Sequence, residues 1–316
     1  MVNGVAAKVL SRLGQAVASA FAATIIVWLL LPLAPGDPAL RILMSQGIDD
    51  PHPAQIEALR EELALDRPLP VQYVEWLGRV VQGDFSVSYR TGAPVAREIF
   101  SRLPATLALL GTALAMSILI SFILALVAVW YRDRWPDRVI RGYTQVMAST
   151  PTFILGLLVL QYVVIGLGIG TVLPQGLWPA AFLPALTIAV DRAGGWTQLL
   201  RANLLENVNA STVLVARSRG ASRFRALMRY AVPNSLMPYL TAIGVSVGAL
   251  IGGTPIMEEI FTWPGIGRLL VQSIQARDFP VIQGFVLFAA LSYVLAALLV
   301  DLIAMWRDPR LRGAHS

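Results

Sequence analysis

Long uncharged, apolar runs separated by short charged stretches dominate this chain, and their lengths predict its elements. One run lies between Arg12 and Asp37 and a second between Arg102 and Arg132, and each is long enough to cross a bilayer once as a helix. From Arg141 to Asp191 the uncharged stretch is too long for one helix. The Gly and Pro residues of "GIGTVLPQGLWP", Gly168 to Pro179, supply a turn, which predicts two helices at roughly 143–168 and 178–200. A fifth run separates Arg229 from Glu258, and a sixth extends from about Val281 to Trp306, interrupted by Asp301. The pattern predicts an all-α polytopic membrane protein with six transmembrane helices and both termini on one side.

Arginine sets the orientation, because short cytoplasmic loops carry the excess of Lys and Arg. Lys8 and Arg12 precede the first span, "YRDRWPDRVIR" (Tyr131 to Arg141) joins the second and third, an arginine-rich stretch joins the fourth and fifth, and "RDPRLR" (Arg307 to Arg312) follows the sixth. All four fall on one face, the expected cytoplasmic face. The organisation is then a cytoplasmic N-terminus with span 1 (1–36), an external region (37–102), a five-span core (103–306) with a cytoplasmic loop at 203–230, and a cytoplasmic tail (307–316). The first run has no small-residue cleavage site directly after a short apolar core, which predicts a retained helix, not a removed signal peptide. In the external region, "DPHPAQIEALREELAL" spaces Ile56, Leu59, Leu63 and Leu65 at helical intervals among charges. It reads as a short amphipathic helix, either a solvated surface or a docking element.

Composition agrees and removes several functions. Hydrophobic residues make up 56% of the chain and charged residues only 14%, with mean hydropathy +0.65. The net charge of +6 sits at the ends of apolar runs, where orientation alone accounts for it, so nucleic acid is not an expected partner. There is no cysteine, hence no disulfide, thiolate metal site or cysteine nucleophile. His52 and His315 are the two histidines and lie far apart in sequence, which argues against a metal site. Lys8 is the sole lysine, so no Gly-rich loop with a phosphate-binding Lys can form. No catalytic constellation and no cofactor site is expected, and buried carboxylates are too few for a proton relay.

Three charges fall within or beside apolar runs. Asp301 near the end of the last span suits a structural role. Asp191 and Arg192 are adjacent on a helix and so project in different directions, which favours partners across helices or a wet cavity over pairing with each other. On the fifth run, Gly244, Gly248 and Gly252 recur every four residues with Ser246 among them. Such a row lets two helix backbones approach closely, either within the chain or between two subunits.

The arginine-rich stretch is "VARSRGASRFRALMRYAVP", Val215 to Pro233. Helix-forming residues run up to Gly220, Ser222 is placed as an N-cap, and Pro233 opens the next span. A short helix of this kind, basic on one side and carrying Phe224, Leu227 and Met228 on another, suits either anionic lipid or a groove on a cytoplasmic protein.

At these residues the chain resembles the inner-membrane permease subunits of binding-protein-dependent ABC importers. Their cytoplasmic loop has Glu-Ala-Ala, three residues, Gly, nine residues, Ile, one residue, Leu-Pro. Here Ala216, Gly220 and Pro233 match and Val232 replaces the Leu conservatively, while Leu214 stands at the Glu position and Tyr230 at the Ile position. The family's peptide branch has a loop similar to "ARSRG". "PLAPGDPA", "LALDRPLPVQYVEWLGRVVQGDFSVSY", "PVAREIFSRLPATLAL", "STPTFILGLL", "LPALTIAV", "EEIFTWPGIGRLLVQSIQARDFPVIQG" and "DPRLR" extend the resemblance over essentially the whole chain, to the first-type permease of dipeptide, oligopeptide and nickel importers. Gln198, Ala297 and Ala304 depart from residues common there.

The resemblance implies a type I ABC importer permease fold and a subunit that is not itself an enzyme. It implies four kinds of partner: a homologous second permease, two cytoplasmic ATPase subunits, an external substrate-binding protein, and membrane lipid. Residues 218–228 become a coupling helix set in a cleft of an ATPase. Its contact set is Ala216, Gly220, Ala221, Ser222, Arg223, Phe224, Arg225 and Leu227, with Phe224 and Leu227 as apolar contacts and Arg223 and Arg225 as charged rim. Gly244, Ser246, Gly248, Gly252, Asp191 and Arg192 fall to the permease interface and translocation path. Glu258, Glu259, Phe261 and Trp263 fall to binding-protein docking. The implied cargo is a short peptide, with a nickel or metal chelate, a glycoside or another small solute as alternatives. A stand-alone secondary carrier and a lipid-bound scaffold are the competing readings of the chain as a whole.

Overall fold

A computed structural model describes residues 2–33, 36–45, 47–48, 50–62, 65–169 and 180–307. In chain order the helices are α1 (Val2–Leu29), α2 (Pro38–Ser45), α3 (Pro53–Glu62), α4 (Leu69–Val81), α5 (Val95–Trp130), α6 (Trp135–Ser149), α7 (Thr152–Leu158), α8 (Phe182–Val208), α9 (Ser211–Ser218), α10 (Arg223–Ala226), α11 (Val232–Gly253), α12 (Pro255–Ile260), α13 (Ile266–Gln275) and α14 (Phe279–Arg307). Wider π turns continue α7 through Val159–Gly166 and join α10 to α11 through Leu227–Ala231. Among the described residues the only extended pairing is a single bridge between Val87 and Pro94, so the architecture is all-helical. Leu63 and the 170–179 turn lie outside the described residues, as do 308–316 of the tail with His315.

Three helices are long and apolar enough to cross a membrane among the described residues: α1 over Leu10–Leu29, α5, and α14 over Phe279–Leu299. A fourth candidate is the α6–α7 pair, bent by 105°. The uncharged run predicts one helix there, at roughly 143–168, and proline breaks it. Thr150, ahead of Pro151, is held extended at φ −107, ψ 121, because the proline ring clashes with a helical conformation of the residue before it.

The chain forms two compact units, one of Met1–Thr106, Ile251–Pro255 and Pro264–Ser316, the other of Leu107–Leu250 and Ile256–Trp263. In the first, α1 packs along α14, and the buried Gln283 amide donates to the carbonyls of Val27 and Trp28 at 3.3 Å each. Those carbonyls belong to the last turn of α1, where they also accept the Leu30 and Leu31 amides at 3.2 and 3.4 Å, so the side chain adds a further donor at the helix end. Val95, Ile99, Ile266, Leu269, Val281 and Phe285 form this unit's apolar centre.

In the second unit, α5, α8, α10 and α11 converge on Ala125, Val129, Leu200, Leu204, Leu227, Val232 and Tyr239. Buried Ser121 and the Tyr239 hydroxyl share a hydrogen bond of 2.7 Å. Ser121 also donates to Ser117 O at 2.7 Å. In a medium without water, such pairing is what allows hydroxyls inside apolar helices.

Candidate functional site

Local rules fold the arginine-rich segment. Gly220 follows α9 with φ +87, a left-handed value that suits glycine and turns the chain out of the helix. The amides of Gly220 and Ala221 donate back to Arg217 O and Ala216 O at 3.0 Å each, closing the end of α9. Ser222 Oγ then accepts from the Arg225 amide at 3.3 Å, so it is the N-cap of α10. α10 has four residues and passes through the π turn into α11 without a break, so this helical run starts well before Pro233.

The same turn sorts the side chains. Ala226 and Leu227 point inward, Leu227 with 6% exposure, into the core made by Leu200, Leu204 and Val213. Ala216 is buried as well, while Arg217, Arg219, Arg225 and Arg229 are exposed. Phe224 remains 63% exposed, and its ring meets Trp130 edge-on at 6.4 Å and 71°. Of the two apolar contacts expected of this helix, Phe224 is therefore free to touch a partner and Leu227 serves the chain's own core.

Arg223 has an internal role. Its Nη2 donates to Trp130 O at 2.6 Å, and its guanidinium carbon lies 4.7 Å from the Trp130 ring centroid. Trp130 is the last residue of α5, whose final carbonyls have no helical partner and carry the negative end of the helix dipole. One guanidinium thus caps α5 and stacks on its terminal indole. The sequence marks Arg223 as charged but gives no sign of this partner, which lies 93 residues away.

A second ionic joint lies at the start of α6. Asp137 is fully buried and receives Arg201 Nε and Nη2 at 2.8 Å each, and the Asp133 amide at 3.1 Å. Arg141 stands 3.7 Å away. Beside this pair, a cavity of about 140 Å³ is lined by Ile140, Arg141, Thr144, Gln145, Gln198 and Arg201. Neither Asp137 nor Arg201 was singled out from sequence, since both read as loop or helix-end charges.

Asp191 accepts from Thr152 Oγ1 of α7 at 2.8 Å, whereas Arg192 Nε stands 3.8 Å from it. Its firm partner is across helices and the neighbouring contact is loose. Beside it, the Tyr143 hydroxyl donates to Val190 O. On α11, Gly244 is half-buried, Gly248 buried and Gly252 exposed, with open space where a Cβ on Gly252 would project. Ser246 Oγ donates to Ala242 O of its own helix at 2.8 Å. The Asp301 side chain lies outside the described residues.

Glu258, Phe261 and Trp263 are buried, with exposures of 0%, 6% and 1%, and Glu259 is half-buried. The Trp263 amide donates to Glu258 O at 2.7 Å, which folds the segment back on itself. In the other unit, Asp278 is buried and clasps the 86–94 loop, accepting Ser88 Oγ at 2.5 Å and the Tyr89 amide at 3.1 Å. Burial, and then the Asp278 charge, push the Tyr89 phenol up to about 12. Among the described residues no cluster of His, Cys, Asp or Glu has the arrangement of a metal site.

Comparison with known proteins decides among the readings of this geometry. The family profile "Binding-protein-dependent transport system inner membrane component" matches residues 117–313, and its N-terminal companion, "Binding-prot-dependent transport system membrane comp, N-term", matches residues 7–110. The chain belongs to this family. It is a multi-pass inner-membrane permease subunit of an ABC importer and has no ATPase domain of its own. It is 34% identical over 305 residues to the glutathione transport system permease protein GsiC of Salmonella choleraesuis (strain SC-B67), covering 96% of this chain and 98% of that protein. The same protein of Escherichia coli (strain K12) is 33% identical over the same coverage. A crystal structure of an amino acid ABC transporter with histidines aligns with TM-score 0.50 and 20% identity over 67% of this chain and 92% of that one, a likeness of fold. Membership of the family displaces the lone carrier and the lipid-bound scaffold as readings of the chain.

Proposed function

We propose that this permease spans the membrane six times with both termini in the cytoplasm, imports short peptides, and takes its power stroke through α10. The cargo reading follows from relatives that are glutathione transport permeases across the full chain. The single observation that carries the coupling reading is Phe224, exposed at 63% on a Ser222-capped turn whose remaining apolar side chains face inward. An exposed aromatic on a rigid, internally anchored turn, ringed by arginines, suits an apolar cleft with an acidic border on an ATPase.

Ala216, Ala221 and Leu227 then hold the shape of the loop, Gly220 and Ser222 set its turn, and Arg225 borders the contact. The glycine row of α11 serves packing against a homologous second permease, and Asp191 with Arg192 lies along the path. The Glu258–Trp263 segment meets the binding protein through its backbone and half-buried Glu259, Ile260 and Thr262, because Glu258, Phe261 and Trp263 are turned inward.

Co-purification from detergent tests the coupling. Wild-type permease brings down its ATPase subunits, and Phe224→Asp brings down few or none, since a carboxylate placed in an apolar cleft without a partner is costly, at roughly 2–4 kcal/mol or a thirty- to several-hundred-fold loss of affinity. Equal recovery from both would remove the coupling role. For the cargo, vesicles holding the assembled complex should take up a labelled tripeptide only with ATP and binding protein present. Uptake of a metal chelate in preference to any peptide would overturn that part.

A further inference from the structure

The external region predicted from sequence contains a helix that does not behave as a solvated one. On α4, at 100° per residue, Gln72, Glu75 and Arg79 occupy one narrow arc, with Gln82 following at the C-cap, and all the rest is apolar or glycine. Only part of this broad apolar face is used within the chain. Tyr73 meets Phe21 and Trp28 edge-on, at 6.4 Å and 5.6 Å, and stacks with Trp76. The Tyr73 hydroxyl shares a 2.8 Å hydrogen bond with Thr24 Oγ1. The other part of the apolar arc, Val71, Val74, Gly78 and Val81, covers nothing, and its three valines are 41%, 65% and 79% exposed. The polar arc, in contrast, has a place to go: Gln72, Glu75 and Arg79 line a cavity of about 100 Å³ with Ser86 and Tyr89.

Depth identifies what covers the valines. The contacts of Tyr73 fall on Phe21, Thr24 and Trp28, all inside the Leu10–Leu29 span of α1. Thr24 lies five residues before the end of that span, or about 7.5 Å along the axis at 1.5 Å per residue. A helix held there lies level with the headgroup–acyl boundary, where in-plane amphipathic helices bury their apolar faces by about 5–10 Å. Tyr73, Trp76 and Trp28 are the residue types that gather at this level. On the α1 face that Tyr73 meets, Phe21 is itself 51% exposed and Val17, one turn earlier, 68%, so the valine stripe continues a surface that the bilayer already covers.

We propose that α4 is an interfacial helix, its Val71–Val74–Val81 stripe sunk in lipid acyl chains and its Gln72–Glu75–Arg79 face turned away from lipid, toward the cavity it lines and the solvent that reaches exposed Glu75 and Arg79. It anchors the chain's N-terminal module in the membrane surface next to α1. The occupant is lipid and not a protein, because the stripe is continuous with a lipid-facing span and bears no charge.

The absence of native cysteine allows a direct test. Val74→Cys, Val81→Cys and Arg79→Cys, each carrying a bimane label, are placed in the complete complex in phosphatidylethanolamine–phosphatidylglycerol vesicles. Lipids brominated on the acyl chain should remove most of the emission at 74 and 81 and little at 79, while aqueous iodide should do the reverse. Iodide quenching at 74 and 81 as strong as at 79 would mean a solvated helix and overturn the assignment. Protection of both valine positions from both quenchers would overturn it too, assigning the stripe to a neighbouring subunit.

Discussion

A single hydrogen at Gly194 lets α8 cross α6. A Cβ there would lie 2.7 Å from Met147 Cβ and 3.2 Å from its Cγ, and the first of these is fixed to the backbone and cannot swing aside. The next residue, Gly195, has nothing within 4 Å of its own Cβ position. Gly194→Ala should therefore destabilise the second unit by about 1–3 kcal/mol through overpacking. Gly195→Ala should be neutral or gain up to about 1 kcal/mol, since alanine loses less backbone freedom in a helix. Thermal unfolding of the two variants in one detergent separates them, and equal melting temperatures would mean that α6 and α8 are not this close. The contrast isolates packing from propensity, since both changes add the same methyl to the same helix.

At the level of elements, the joint that matters most is α10 on α5. If α10 takes the power stroke as proposed, force applied to Phe224 has two exits, the continuous helical path into α11 and the Arg223–Trp130 clamp into α5. Arg223→Ala removes the second and leaves Phe224 in place. ATPase subunits should still co-purify and hydrolyse ATP, while peptide uptake per ATP falls several-fold; the loss of one charge-assisted hydrogen bond and one cation–π contact is worth about 2–4 kcal/mol of rigidity at the joint. Arg223→Lys keeps the charge but not the planar stack, so its coupling ratio should lie between the two. Unchanged uptake per ATP in Arg223→Ala would show that α11 alone transmits. This joint also marks how far the sequence could be read. The Ser222 cap and the Gly220 turn are local, governed by residues within a few positions, and were legible. So were the apolar lengths of α1, α5 and α14. The break of the third predicted helix was written in Thr150–Pro151 yet outweighed by the uncharged run around it. Trp130 with Arg223, Asp137 with Arg201, and Ser88 with Asp278 join residues 64 to 190 positions apart, and no local pattern reveals which distant partner a charge will meet. The inward turn of Leu227 was hidden for a related reason: which face of a short helix is buried depends on what it packs against.

For the whole molecule, charge and hydropathy give a topology that can be tested one segment at a time. Exposed positions should divide cleanly between the two sides of the membrane if the chain crosses six times. Arg134, between α5 and α6, and Arg219, ahead of α10, belong to the arginine-rich face. Glu57 on α3 and Gln275 at the end of α13 belong to the other. All four are exposed, and the lack of native cysteine makes each single-cysteine variant free of background. In intact cells a membrane-impermeant maleimide should label Glu57→Cys and Gln275→Cys at once. It should reach Arg134→Cys and Arg219→Cys only after permeabilisation. α8 carries Asp191, Arg192 and Arg201 and is not among the helices apolar enough to count as spans by composition. If α8 does not cross, Arg219 and Arg134 fall on opposite sides, and labelling of Arg219→Cys from outside would reveal it. If α8 does cross, it does so with Asp191 held by Thr152 and Arg201 by Asp137 on neighbouring helices, and with Arg192 loosely beside Asp191, since a bilayer tolerates a charged helix when its charges are partnered. Protection of Arg219 would then place α10 on the same side as the cytoplasmic ATPases, which its proposed role requires.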